Sequence, residues 1–264
     1  MIYSNIFITT FNELLFNPLL NLLVFLYELP FFDFGVAILA LTLLTKVILW
    51  PLNSKAIISQ KETQEKTQEM QKEMREIQQK FKDNKQKQSE EIMKLWREKK
   101  FNPFSSFVPM IIQIIILIAL FQVLRTIVNP ESELVLYSFV SEPEEINFHF
   151  LGVIDLAAKS SSQVGGIILA ILTGITQYFS SKMIFTRKAK TKKKTQELNN
   201  KKDPKQEMQE KMQKMMQKQM TYFMPVFIAF ITLSFPAALA LYWFTSTLVG
   251  YFQQKIIYNK KEIN

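Results

Sequence analysis

The sequence predicts an all-α polytopic membrane protein, with five transmembrane helices around a polar groove open to the cytoplasm and an antiparallel helical hairpin on the cytoplasmic side. Three observations predict it. Long apolar runs alternate with Lys/Gln/Glu-rich runs although the chain is only 48% hydrophobic overall, a segregation that marks repeated membrane crossing. Basic residues are confined almost entirely to alternate connecting segments. Finally, one cation, Lys46, lies inside an apolar run, where insertion scales put its cost at roughly 2.5 to 3.5 kcal/mol at a helix centre.

Taken in order, residues 1–34 precede the first span and contain no Lys or Arg. Within them, 14–32 is apolar but interrupted by Asn17, Pro18, Asn21, Glu28 and Pro30, which favours an amphipathic helix lying in the interface. A basic n-region and a small-residue cleavage site are both missing, so a removable signal peptide is not expected. The first span is expected over 35–52, reading GVAILALTLLTKVILWPL. Residues 53–103 follow as a charged helical hairpin, and 104–124 as the second span. A connecting loop covers 125–163, and 164–185 is the third span. A basic linker with a Met-rich helix fills 186–220. The fourth span, 221–235, is short and requires tilt or thinning of the bilayer. Only Phe235-Pro236 separates it from the fifth span, 237–254, so these two must form a tight hairpin. Residues 255–264 are the tail.

Charge sets the orientation. Lys plus Arg number 13 in 53–103, 13 in 182–220 and 3 in 255–264, or 29 of the 32 in the chain. Segment 125–163 has two against six acids. The positive-inside rule therefore places those three basic segments in the cytoplasm and the N-terminus outside, in a cell membrane.

Composition excludes several chemistries. There is no cysteine, and His149 is the single histidine, so a cysteine-ligated metal, a disulfide framework or a histidine triad is not expected. With six glycines and no Gly-rich phosphate loop, no nucleotide cofactor is expected either. No motif reads DNA bases.

Residues 54–100 lack Gly and Pro and are rich in good helix formers. Met70, Met74, Ile77 and Phe81 recur at 4-3-4 spacing and form one apolar seam. A turn at Lys82–Lys85 and a cap by Ser89 start a second helix, whose Ile92, Leu95 and Trp96 can pack back on that seam. A solvated spacer is the plainer alternative. Residues 187–203 read as a disordered basic linker. Met208, Met212, Met215, Met216 and Met220 then share one helical face suited to adaptable apolar contacts or to the bilayer surface. The basic runs suit anionic lipid headgroups or ribosomal RNA phosphates.

Lys46 has two readings. With a helix ending near Leu52 it lies about 9 Å inside, within reach of the headgroups by snorkelling. Alternatively it faces a wet recess. The company it keeps favours the recess: Thr42 and Thr45 on its own helix, Gln113 on the second span, Thr173, Thr176 and Gln177 on the third, and Thr245, Ser246 and Thr247 on the fifth. Each alone is more often a helix–helix hydrogen bond. Together they run from the middle toward the cytoplasmic side, while Ile114–Leu120 and Gly166–Leu172 are apolar, as in a recess sealed from outside. A small-anion transporter or channel using Lys46 as a binding charge is an alternative, disfavoured by the sealed outer halves and the lack of inverted repeats. A structural tether leaves the intramembrane polar set unexplained.

Leu41–Leu52, the charged hairpin after it, Asn102-Pro103, Pro109–Gln113, Asp155-Leu156, Met224-Pro225, Phe235–Leu239, Leu241–Trp243 and Gln253-Gln254 together resemble, in order and over essentially the whole chain, the YidC/Oxa/Alb membrane protein insertase family. The resemblance implies a non-enzymatic insertase and chaperone without cofactors. Its groove carries one basic residue, here Lys46, which attracts the acidic N-terminal segment of a nascent membrane-protein client. It also implies client contact by the hairpin bearing Met70, Met74, Ile77, Phe81 and Trp96, and ribosome contact by the basic regions, alone or beside the Sec translocon. Lysine departs from the family's usual arginine, keeping the charge but losing the planar fork. Ala237-Ala238 replaces a small-Gly pair, and Thr247 stands where Asn is common.

Overall fold

The computed structural model describes residues 2–102, 108–129, 131–196, 215 and 218–260. They fold into two compact units: one formed by Met1–Ile48 with Leu117–Lys255, the other by Leu49–Ile116 with Ile256–Asn264.

The first unit begins with α1 (Ile2–Phe11), a π-helical turn over Asn12–Phe16 and α2 (Asn17–Tyr27). A second π-helical turn, Gln219–Phe223, precedes α9 (Met224–Thr232). Both turns have the same cause. Pro18 and Pro225 each lie two residues beyond the turn, lack an N–H and crowd the carbonyl four residues back. The ladder relaxes by widening: Asn17 N–H donates to Asn12 O, and Met224 N–H to Gln219 O.

Helix α2 packs on α3 (Phe34–Ile48) through Leu19, Leu20, Leu23 and Val24, all buried. The Asp33 carboxylate caps α3 by accepting from Val36 N–H at 2.7 Å. The first span is thus shorter than the expected 35–52. Helix α3 stops at Ile48, and α4 (Trp50–Glu69) starts afresh. Pro51 supplies the reason, because it cannot donate to Val47 O.

Helix α7 (Val108–Val128) runs about four residues later than the expected 104–124, and part of that expectation, 104–107, lies outside the described residues. After it a connecting segment leads to a short antiparallel pair, β1 (His149–Phe150) with β2 (Ile154–Asp155). Helix α8 (Val164–Gln196) begins where the third span was expected but continues ten residues into the linker. Residues 187–196, expected to be irregular, are helical; 197–203 lie outside the described residues, as do Met208, Met212 and Met216.

Helices α8 and α9 cross closely at Gly174, where a Cβ would meet Ala229 Cβ at 2.9 Å and Pro225 O at 3.2 Å. A short turn, 233–236, separates α9 from α10 (Ala237–Lys260). Residues 156–161 cover it: Ala237 N–H donates to Ala158 O, Ala238 N–H to Leu156 O, and Ser160 N–H and Oγ both to Phe235 O. The first amides of α10, which have no partner in their own helix, are satisfied this way. The short Asp155 turn makes it possible, its carboxylate accepting from Ala157 and Ala158 N–H.

The second unit holds α4, α5 (Gln71–Lys80) and α6 (Lys85–Glu98). Helices α5 and α6 form the expected antiparallel hairpin. Gln88 Nε2 donates to Gln78 O at 3.0 Å, and Lys99 pairs with Glu73 at 2.9 Å. The cap is not Ser89. Asn84 Oδ1 accepts from Lys87 N–H at 3.0 Å, while Ser89 sits inside the helix and donates back to Lys85 O. Asparagine won because it comes directly after the turn and five residues before the serine.

By length and apolarity, three described helices could cross a membrane: Ile8–Tyr27, Met110–Val128 and Val164–Met183. A fourth is added if Phe34–Ile48 is counted with its continuation. Among them is Ile8–Tyr27, whose π-helical turn keeps the chain helical past the asparagines and Pro18 that argued for an interfacial segment. Helix α9 is too short to qualify, as its expected brevity implied. Helix α10 is long enough, but Thr245–Thr247, Gln253, Gln254 and Lys255 dilute its apolarity.

Candidate functional site

Helix α3 has one exposed and one buried face. Leu43, Leu44, Val47 and Ile48 are between 41% and 68% exposed, as suits lipid contact. Ile38 and Thr42 are at 0%. Lys46 lies four residues beyond Thr42, on that inward face, and is half-buried. It also lies two residues before the helix end rather than six.

The polar residues expected beside it on the other helices also turn inward. On α8, Thr173 is fully buried, Thr176 nearly so and Gln177 half-buried, while Ile168, Ile171 and Ile175 face outward. On α10, Thr245 and Ser246 are buried and Thr247 is half-buried. Gln113 is half-buried on the part of α7 that belongs to the other unit.

The threonine hydroxyls share one arrangement. Thr42 donates to Ile38 O at 2.7 Å, Thr45 to Leu41 O at 2.9 Å, Thr173 to Leu169 O, Thr176 to Leu172 O, Thr245 to Leu241 O and Thr247 to Trp243 O, each at 2.8 Å. Each donor is thus satisfied by its own helix, so the group is tolerated away from water. What remains on each oxygen is acceptor capacity. Such hydroxyls offer weak hydrogen-bond acceptors. Among the described residues no cluster of His, Asp and Glu could hold a metal.

Several buried polar residues lie outside the expected set, among them Gln253 and Asn21. Gln253 is 1% exposed; it follows Ser246 by seven residues, a helical spacing that could have placed it on the same face. Asn21 is 2% exposed and ties α2 to the connecting segment, with its amide donating to Val135 O at 3.1 Å and its carbonyl accepting from Tyr137 N–H at 2.6 Å. Those partners lie more than a hundred residues away, beyond any local signal.

In the hairpin, Met70 is buried at the α4–α5 junction, while Met74, Ile77, Phe81 and Trp96 are half-buried. Leu95 is buried, and Trp96 packs edge-on against Phe101. The seam is therefore largely used in holding α5 to α6. Its remaining apolar exposure is partial, with Met93 open at 45%.

Comparison with known sequences adds a family. The sequence model described as 60Kd inner membrane protein matches residues 25–264. Among curated relatives, the membrane protein insertase YidC of Clostridium tetani is 32% identical over 220 residues, covering 83% of this chain and 79% of the relative. The insertases of the same name from Syntrophus aciditrophicus and Haemophilus influenzae are 31% and 32% identical, over 91% and 93% of this chain. The chain spans only 35% and 37% of the length of those two.

Proposed function

Because this chain belongs to the 60Kd inner membrane protein family, as the match over 25–264 establishes, we propose that it is a membrane protein insertase and chaperone. It receives nascent membrane proteins in a hydrophilic intramembrane groove and releases them into lipid. The observation that carries this reading is the placement of Lys46 on the buried face of α3 below Thr42. A cation held there, rather than among lipid tails, serves a polar passenger.

The reading takes five spans, with the N-terminus outside and the C-terminus in the cytoplasm. The charge segregation supports it. So does the Asn21 tie, which holds α2 to a segment whose acids outnumber its bases and favours an interfacial place for α2 on the extracytoplasmic side. The groove is lined by Lys46, Thr42, Thr45, Gln113, Thr173, Thr176, Gln177, Thr245, Ser246 and Thr247.

Insertion then follows from electrostatics and transfer. An acidic N-terminal client segment is drawn toward Lys46, and hydroxyl oxygens and amides replace part of its lost hydration. The apolar segment behind it moves into lipid, driven by about 25 cal/mol for each Å² of apolar surface removed from water. Neither covalent chemistry nor a nucleotide is required. The α5–α6 hairpin receives clients through Met93 and the open edges of Met74, Ile77, Phe81 and Trp96. The basic segments meet the ribosome and anionic headgroups.

The test is insertion of a single-span client with an acidic N-tail into proteoliposomes carrying the parent or a Lys46 variant. Lys46→Arg should insert at close to the parent rate. Lys46→Ala should lose several-fold and Lys46→Glu more, since a like charge at an effective dielectric near 20 opposes entry by a few kcal/mol at contact. Equal insertion by Lys46→Glu and the parent defeats the charge-attraction mechanism. Photocrosslinks from Gln113 and Thr247 to a stalled client test the groove itself.

A further inference from the structure

A cavity lies away from Lys46, within the first unit. It encloses about 410 Å³ between the start of α3, the end of α7, the β1–β2 pair and Pro236, a volume within the range of small-molecule sites. Its walls are apolar: Phe34, Leu124 and Leu156 are buried, and the Phe34 and Phe148 rings meet edge-on at 5.1 Å. Arg125 and Asn129, both exposed, form its polar rim.

The rim lies on a particular face of α7. Ile118, Phe121 and Val128 are 46%, 37% and 42% exposed, and with Arg125 they follow a spacing of three and four residues, so they form one outward stripe. On a membrane-spanning helix such a stripe faces lipid. Phe121, Arg125 and Val128 belong both to the stripe and to the cavity lining, so the cavity opens toward lipid, and a cation stands at the end of the stripe. Among the described residues Arg125 forms no ion pair.

The surroundings select the occupant. Segment 125–163 carries six acids and, besides Arg125, one other cation, so its field disfavours free soluble anions. An anion that arrives tethered to an apolar chain, from within the membrane, avoids that barrier and fills the cavity with its chain. We propose that this cavity binds an acyl chain of an anionic phospholipid whose phosphate is held by the Arg125 guanidinium, with Asn129 beside it.

The experiment uses the purified full chain in micelles containing equal amounts of phosphatidylglycerol and phosphatidylcholine of identical chains, with retained lipid counted by native mass spectrometry. The parent should retain phosphatidylglycerol about tenfold over phosphatidylcholine, whose own choline cation offsets the phosphate charge that Arg125 would otherwise meet, the scale of one charge-assisted contact. Arg125→Lys should keep most of that preference and Arg125→Gln should bring it near one. Ala157→Phe, which fills the cavity, should abolish retention of both lipids. If that variant fails to fold, Val128→Trp at the exposed rim closes the mouth instead. Absence of a preference in the parent, a preference that survives Arg125→Gln, or retention unchanged when the cavity is filled or closed each overturns the proposal. Displacement of the phospholipid by an equimolar amount of oleate overturns the choice of occupant.

Discussion

Replacing Asn21 by leucine tests whether one buried amide organises the segment after α7. Asn21 makes three hydrogen bonds: to Asn17 O at 2.9 Å within its helix, to Val135 O at 3.1 Å and from Tyr137 N–H at 2.6 Å. Leucine has nearly the same volume and suits the Leu-rich surface of α2, so packing is roughly conserved. The two long-range bonds are lost, each with a net contribution of about 1 kcal/mol. Val135 and Tyr137 are 63% and 40% exposed, so water recovers part of what their backbone groups lose. The expected loss is local, about 1 to 2 kcal/mol. It should raise the hydrogen-exchange rate of the Tyr137 amide about five- to thirtyfold in the reconstituted protein, with α8 and α10 amides unchanged. Asn21→Asp, which keeps only the acceptor, should fall between. A Tyr137 amide that exchanges within twofold of the parent in Asn21→Leu refutes the reasoning.

Asn84→Ala should lower the stability of the α5–α6 hairpin by about 1 kcal/mol through loss of its cap, whereas Ser89→Ala should change it by less than about 0.5 kcal/mol; denaturant titration followed by Trp96 fluorescence separates the two. Thr42→Val removes a hydroxyl already bonded to Ile38 O, so the shift in thermal stability should stay within about 1 kcal/mol. Insertion of an acidic-tailed client by that variant should nonetheless fall several-fold if the Thr42 oxygen accepts hydrogen bonds from the passenger. A variant that unfolds instead assigns Thr42 a purely structural role.

The parts of this protein legible in the sequence are those written in local pattern. The α5–α6 hairpin could be read because Met70, Met74, Ile77 and Phe81 repeat with helical spacing. The α9–α10 turn could be read because Phe235-Pro236 interrupts two apolar runs. Errors arose where competing local devices had to be ranked. Asn84 took the cap from Ser89 by standing next to the turn, and Pro51 ended α3 four residues early by withholding a donor. The polar residues of the proposed groove were legible singly as exceptions to apolarity, but the threonine hydroxyls bond back along their own helices, so no long-range pairing could be read from them.

Sequence by itself determined the helical class, the alternation of apolar and basic segments and the family. These depend on composition and short-range order, which the chain carries regardless of how it packs. Only the tertiary structure decided that Lys46 shares the buried face of α3, that Asn21 holds a segment more than a hundred residues away and that residues 156–161 cap α10. Each of these depends on which surfaces meet. A helical period specifies that a residue shares a face with its neighbours, while burial of that face is decided by what packs against it.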